Sequence, residues 1–338
     1  MKALVLTDVK KLEVLEVDKP KLSNKEVLIK TAYAGICGTD HALYSGLPGS
    51  AKAIPPIVLG HENSGVVAEI GTKVTNVKIG DRVSVDPNIY CGQCRYCRTK
   101  RPELCQNLSA VGVTRNGGFA EYFSAPASVV YPIPDNVSLK TAAIIEPISC
   151  AVHGIQLLKL AAWQKALIIG DGFMGQLFVQ ILQAYGIYHV DLAGIIDEKL
   201  ELNKTKFGVN KTFNTSKGGL IPEANYDIVI EAVGMPITQE QAIKAAARGA
   251  QVLMFGVGKP NDTFKVGTYG VFQKQLTIQG SFINPYTFVD SVALLSSDKL
   301  NVETLISHEL DYETVDDFVN DKLGVVSKAV VKIGSENK

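Results

Sequence analysis

From about residue 155 to residue 282, apolar strand-like runs alternate with helical stretches. In order they read ALIIG, FMGQLFVQILQAYG, HVDLAG, DEKLELNKTKFG, YDIVIEAVG, TQEQAIKAAARG, AQVLMFGVG and LTIQGSF. Such alternation predicts an α/β unit, a doubly wound parallel sheet covered by helices on both faces. Its first strand runs into Gly170, Gly172 and Gly175, spaced G-x-G-x-x-G and opening a helix. The spacing alone is a weak signal, and a glycine-rich turn without a ligand is the bland reading. Between a strand and a helix it is the dinucleotide fingerprint of a Rossmann coenzyme domain. The first glycine makes the turn, the second admits a pyrophosphate to the backbone, and the third lets helix and strand pack closely. Phe173 and Met174, between the second and third glycines, belong to the same expected contact surface, where helix N-terminal amides bind phosphate.

An acid that binds the adenosine ribose is expected about 20 residues further on, at the end of the second strand. That strand, HVDLAG, closes instead on Gly194, followed by Ile195, Ile196 and Asp197. A glycine there supplies no carboxylate for a 2′-hydroxyl and no repulsion against a 2′-phosphate. Asp197 serves only if the strand runs long, no Arg follows, and Lys199 is near. The choice between NAD and NADP stays open, with Gly194 as its candidate determinant.

The first 150 residues have a different texture. Short β-branched segments (KALVL, EVLIKTAYAG, SGVVAEIG, DRVSVD) are punctuated by Pro55-Pro56, Pro132 and Pro134, which predicts a β-rich domain. After about residue 282 come one helix (FVDSVALLSS) and a last strand (AVVKI), with no further βαβ unit, so the tail is expected to return to the first domain. The boundaries expected are 1–150 with 283–338 for one domain and 151–282 for the other, as the length of 338 residues suggests. Formal net charge is +0, so no basic field exists to hold nucleic acid or an anionic membrane. MKALVLTDVK turns polar too soon for a signal-peptide core, and no apolar run approaches the ~18 residues of a membrane span. The expectation is a soluble, cytoplasmic protein.

Four of the six cysteines, Cys91, Cys94, Cys97 and Cys105, lie in CGQCRYCRTKRPELC. Four thiolates this close suit one tetrahedral zinc, closed to solvent and structural. Disulfides are the weaker reading in a reducing compartment. A zinc ribbon for nucleic acid is the other rival, since Arg95, Arg98, Lys100 and Arg101 cluster there, but the neutral chain shows no extended basic face. Cys37, His61, Glu62 and Glu146 form a second candidate set from separate segments. A zinc with three protein ligands and an open position is the catalytic arrangement. Singly, each has a bland reading: Cys37 a small buried hydrophobe, His61 a satisfied loop histidine, Glu146 a residue before the turn at Pro147.

The stretch GHENSGVVAEIGTKVTNVKIGDRV, residues 60–83, matches G-H-E-x2-G-x-V-x3-G-x2-V-x5-G-D-R-V at every fixed position. With the cysteine lobe (88–110) and the glycine fingerprint, it resembles the zinc-dependent medium-chain alcohol dehydrogenases over essentially the whole chain, and within them the polyol (sorbitol-type) branch. The resemblance implies a GroES-like β-rich catalytic domain beside the Rossmann domain, two zincs per chain, and NAD or NADP. It implies Cys37, His61 and Glu62 as catalytic zinc ligands, with Glu146 bound directly or through water. Cys150 and His153 are expected to be packed; His189 and His308 fall in no motif. Thr39 sits where the family places a hydroxyl that takes the alcohol proton, and Glu146 is the rival general base. Many members end the relay with a His where this chain has Ala42; His41, one residue early, is the relay candidate, although in an extended strand that shift turns it to the other face. Val233 and Gly234, then Phe255, Gly256 and Val257, match the family's nicotinamide contacts, and Phe282 would flank the cleft.

The implied reaction passes a hydride from a secondary alcohol, a sugar alcohol or its phosphate, to the nicotinamide. Ile283 and Asn284 stand where sorbitol-type enzymes carry Arg-Tyr, which sets sorbitol itself in question and leaves Asn284 and Tyr44 as candidate hydroxyl contacts. Butanediol- and threonine-type dehydrogenases are the alternatives, and a dinucleotide-binding zinc sensor is the non-enzymatic rival. A zinc-free quinone-reductase relative would lack both metal sets. The resemblance also implies a homodimer or homotetramer.

Overall fold

A computed structural model gives the fold and describes residues 1–312, 314, 315, 320 and 322–334. The chain divides into two compact units, one of residues 1–149, 283–298 and 302–338, the other of 150–282 and 299–301. No described helix is long and apolar enough to cross a membrane.

In the second unit six strands form one sheet in the order Thr212–Asn214, His189–Gly194, Lys165–Ile169, Tyr226–Glu231, Ala246–Met254 and Thr277–Gly280. All neighbours are parallel. The strand order reverses beside Lys165–Ile169, the switch point where doubly wound folds bind their ligands. Ala166 through Ile169 are buried in succession, as a strand covered on both faces requires. The helix Phe173–Ala184 starts directly after Gly172. One expectation fails locally: the helix of TQEQAIKAAARG stops at Ala245, and Ala246 opens the next strand. Tyr226 pairs with Ala246 but Ile228 with Gln251, so the AARG stretch is absorbed as an irregularity of the ladder in which Gly249 takes φ +75. Pairing with Tyr226–Glu231 overrides the helical propensity of its alanines.

The first unit is built on a seven-stranded sheet among the described residues, with the long strand Glu26–Ile36 at its centre. Glu62–Ile70 and Tyr122–Pro126 pair with it antiparallel. So does Lys328–Lys332, which brings the tail back to this unit. Register shifts between Thr31 and Tyr33 let the one strand serve two cores. Val27 and Ile29 pack with Val67, Val83 and Phe123; Ala34 and Ile36 pack with Leu4, Leu59, Phe119 and Val331. Each fully buried Val, Ile or Phe there stabilises the fold by about 1.5–3 kcal/mol.

Candidate metal centres and coenzyme cradle

The centre of the first sheet assembles the catalytic candidates by register. Gly35 pairs with Glu62 on one side, and Ile36 with Ala329 on the other. The chain leaves the strand at Cys37, which caps the helix Gly38–Tyr44. Thr39 N–H donates to Cys37 Sγ at 3.5 Å, while Cys37 N–H donates to Asp40 Oδ2 at 2.9 Å. A helix cap thereby fixes the thiol. Ligand atoms of Cys37, His61 and Glu62 all lie within 4.8 Å of one another. Gly35 makes this possible, because a Cβ there would lie 1.9 Å from Glu62 Oε2.

Two charged residues that the sequence did not single out hold the cluster. Lys328 Nζ, 4% exposed, lies 2.6 Å from Glu62 Oε1 and donates to the Ile36 carbonyl at 2.9 Å. Asp40 Oδ1 stands 3.4 Å from His61 Nδ1 without closing a hydrogen bond. Burial by itself would lower the His61 pKa, but Asp40 and Cys37 outweigh it and hold the imidazole well above its usual range. Buried anions crowded around an unbonded imidazole nitrogen are costly unless a cation is shared among them. The donor set of thiol, imidazole and carboxylate suits zinc.

Glu146 opens the helix Ile145–Gln156, with Pro147 in the first turn where its missing N–H costs nothing. It is 7% exposed and stands outside the three-residue cluster, although its charge reaches both Lys328 and Asp86. Burial raises the Asp86 pKa to about 7, and Glu146 adds to the rise. Asn284 belongs to this buried network and is not a substrate contact, contrary to expectation. It is 0% exposed, accepts from Asn88 Nδ2 at 2.6 Å, and donates to Ser149 Oγ at 2.6 Å and Asp86 Oδ1 at 3.3 Å. Tyr44 packs partly against the core around Leu4 and Leu59.

Thr39 and His41 lie on the same helical turn rather than on a strand. At 3.6 residues per turn they point about 200° apart, and Ala42 rather than His41 falls on the Thr39 face. Cys150 belongs to neither described metal cluster. His153 is buried; His189 lies 3.8 Å from Asp191, and His308 shares a 2.9 Å contact with Ser307 Oγ.

In the lobe, Asn88–Ile89 and Ser109–Ala110 pair antiparallel and close the base of the cysteine run. The ligand atoms of Cys91, Cys94, Cys97 and Cys105 lie within 4.8 Å of one another. Cys91 and Cys97 sulfurs are 3.9 Å apart, near the ~3.8 Å that tetrahedral Zn–S bonds of ~2.3 Å require. Amides of Gln93 and Cys94 lower the Cys91 thiol to about 6, while burial and neighbouring thiols raise Cys97. Four thiols that cannot all ionise unaided fit one closed zinc site.

In the second unit, Gly170 takes φ +123, and a Cβ on Gly175 would lie 1.8 Å from the Gly170 carbonyl. A Cβ on Gly172 would meet nothing within 4 Å, so open space stands over the helix N-terminus where a pyrophosphate would bind. Phe173 is buried; Met174 is half-buried. Glu231 Oε1 accepts from the amides of Val233 and Gly234 at 2.9 Å each. A Cβ on Gly256 would lie 2.1 Å from Gly234 N, so the loops that carry Val233 and Val257 touch backbone to backbone. Val233 and Val257 side chains are exposed, as is Phe282.

Comparison with known proteins places this geometry. Residues 23–135 match the alcohol dehydrogenase GroES-like domain, and residues 174–297 the zinc-binding dehydrogenase family. D-arabinitol dehydrogenase 1 of Uromyces fabae is 31% identical over 317 residues, which covers 91% of this chain and 90% of the relative. The chain belongs to the zinc-binding medium-chain alcohol dehydrogenases. Within that family the L-threonine 3-dehydrogenase of Chromobacterium violaceum is 35% identical over 317 residues, 91% of each protein. A Sinorhizobium meliloti 1021 protein solved with NADP superposes with a TM-score of 0.93 at 31% identity, covering 98% of both chains. This medium-chain dehydrogenase therefore acts on CH–OH groups with a nicotinamide coenzyme. It carries a four-cysteine structural zinc site and a Cys/His/Glu catalytic one.

Proposed function

We propose that this dehydrogenase oxidises a secondary hydroxyl of a neutral polyol, in the cytoplasm. The observation that carries the reading is the charge around the Cys37–His61–Glu62 cluster. Asp40, Glu62, Glu146 and the Cys37 thiolate are set against Lys328 and one divalent ion, which leaves this end of the site net anionic. Lys328 is engaged by Glu62, so no described cation of the cluster is disposed to receive a substrate carboxylate. Threonine would bring an ammonium one carbon from its reacting hydroxyl, which that negative charge attracts, but also a carboxylate two carbons away that no described cation of the cluster is disposed to pair. A neutral polyol presents only hydroxyls, which donate to carboxylates.

Cys37, His61 and Glu62 would hold the zinc, with Asp40 Oδ1 facing His61 Nδ1 at 3.4 Å. Zinc held there would supply Lewis acidity for loss of the alcohol proton, and a bound nicotinamide would supply the acceptor for the carbinol hydride. Thr39 is placed on the helix that Cys37 caps, and its hydroxyl would accept the alcohol proton while passing its own on to solvent. Glu146, buried beside Asp86 and within reach of the Lys328 charge, is the alternative base. His41, half-buried and turned about 200° from Thr39, has no part in this reading.

A kcat/KM panel with both coenzymes tests the reading, using D-arabinitol, galactitol, a polyol phosphate, 2,3-butanediol and L-threonine. A neutral polyol should exceed threonine by about tenfold or more, the scale of one unpaired charge. Threonine or the phosphorylated polyol as best substrate would overturn it.

A further inference from the structure

The second strand of the coenzyme unit ends on Gly194 with no side chain, yet a carboxylate stands there. Asp171, the residue between the first two fingerprint glycines, is 7% exposed. Its Oδ2 accepts from Ile195 N–H and Ile196 N–H, each at 2.7 Å. A Cβ built on Gly194 would lie 2.4 Å from both Asp171 Cγ and Oδ2. The Asp171 carboxylate thus fills the volume that an acid at the strand end would fill, reached from the glycine loop instead of from the strand. Gly194 is the consequence of that arrangement, because any side chain there would collide with a carboxylate pinned by two amides.

The remaining charges at this corner balance, so its excess is that of Asp171. Asp197 and Glu198 occupy the first turn of the helix Asp197–Lys206. Asp197 is bound by Asn214 Nδ2 and paired with Lys217. Burial lowers the Lys199 pKa, and the nearby Asp171 charge opposes that fall. Three acids against two lysines leave the corner net negative, where a 2′-phosphate would bring about two further negative charges.

We infer that Asp171 is the coenzyme-selecting residue of this chain, a strand-end acid relocated into the glycine loop, and that it selects NAD over NADP. The inference rests on the coenzyme role of this unit and deepens it. The Sinorhizobium meliloti relative was solved with NADP, so the preference belongs to these residues and not to the fold.

Calorimetric titration of the zinc-loaded protein with NADH and with NADPH tests this without turnover. The wild type should bind NADH about tenfold or more tightly, the scale of one hydrogen bond to a charged group. Asp171→Asn keeps an oxygen for the two amides but removes the charge, and should shrink the gap to about threefold, chiefly by weakening NADH. Gly194→Asp alone should weaken both nucleotides, because its Cβ meets Asp171. The double change Asp171→Gly/Gly194→Asp returns the acid to the strand and should restore the NADH preference, which keeps the test alive if Asp171→Asn folds poorly. Equal or tighter NADPH binding by the wild type would overturn the inference. So would an undiminished gap in Asp171→Asn, or tighter NADH binding in Gly194→Asp. Binding of neither nucleotide by the wild type would strike the coenzyme reading itself, and the inference with it.

Discussion

The cysteine lobe takes every metal ligand from residues 91–105, whereas the catalytic cluster takes Cys37 from one strand end and His61-Glu62 from the start of its neighbour. Lys328, which holds Glu62, comes from a third strand. A local site depends on turn geometry alone and can form wherever its own loop closes. A dispersed site exists only if the sheet keeps its register, since a one-residue slip turns each side chain to the other face. The two centres should therefore fail differently. Loss of a ligand should cost the lobe its structure and should cost the dispersed centre its chemistry.

The largest expected effect is on turnover. Cys37→Ala should lose one zinc equivalent and lower kcat/KM by about 10³ or more, because Lewis-acid assistance is worth several kcal/mol at about 1.4 kcal/mol per decade. Its melting temperature should fall less than that of Cys91→Ser, because the sheet persists although a helix cap and the cation shared by buried acids are lost. Cys91→Ser should also lose one zinc equivalent, but with a clear fall in melting temperature or in assembly. Metal binding at such sites contributes folding free energy directly. Metal content, kcat/KM and thermal melts of the two variants, taken together, check the division. A fully folded Cys91→Ser protein that has lost only turnover would break it.

Gly35→Ala probes the packing of the dispersed centre without replacing a ligand. The added methyl would lie 1.9 Å from Glu62 Oε2, so the carboxylate must leave its place. Displaced ligand orientation commonly costs about 10–100-fold in metal affinity or activity, and the overpacking about 1–3 kcal/mol of stability. Competition with a zinc chelator should strip the catalytic metal from this variant first and leave the lobe metal as firmly held as in the wild type. Equal release of both metals in variant and wild type would show that Gly35 has no such part.

The same contrast explains what could be read from the sequence. The cysteine lobe and the glycine loop each lie within one short segment, so their spacing carries their geometry. The alternation after residue 155 likewise announced its parallel sheet, although pairing with Tyr226–Glu231 drew Ala246 out of the expected helix. Lys328 could not be found in this way. Its partner carbonyl at Ile36 lies 292 positions away, and a lysine opening an apolar strand looks like an edge residue. Asp40 hid inside the CGTD run because its role depends on Cys37 capping a helix, and the same helix is what turns His41 away. Asn284 is only a candidate hydroxyl contact from its neighbours in the chain, whereas the fold buries it against Asn88 and Ser149.

The smallest expected effect concerns an acid on the catalytic side of the comparison. Asp86 is buried, and its pKa is raised to about 7 by burial and then by Glu146, against about 3.9 for an unperturbed aspartate. A folded-state value above the unfolded one means that the native protein holds the proton longer. The associated stability is present in full below about pH 4 and is lost as pH rises through about 7. Asp86→Asn retains an oxygen for the Asn88 amide and Asn284 and cannot titrate. Wild-type stability relative to this variant should therefore fall by about 2 kcal/mol between pH 5.5 and pH 8, at about 1.4 kcal/mol per pKa unit. Urea melts of both proteins at the two pH values measure it. A relative stability that is flat or rises with pH would mean that Asp86 is ionised in the folded protein. The acids around the dispersed centre would then all be charged together, and the cation they share would have to balance one more of them.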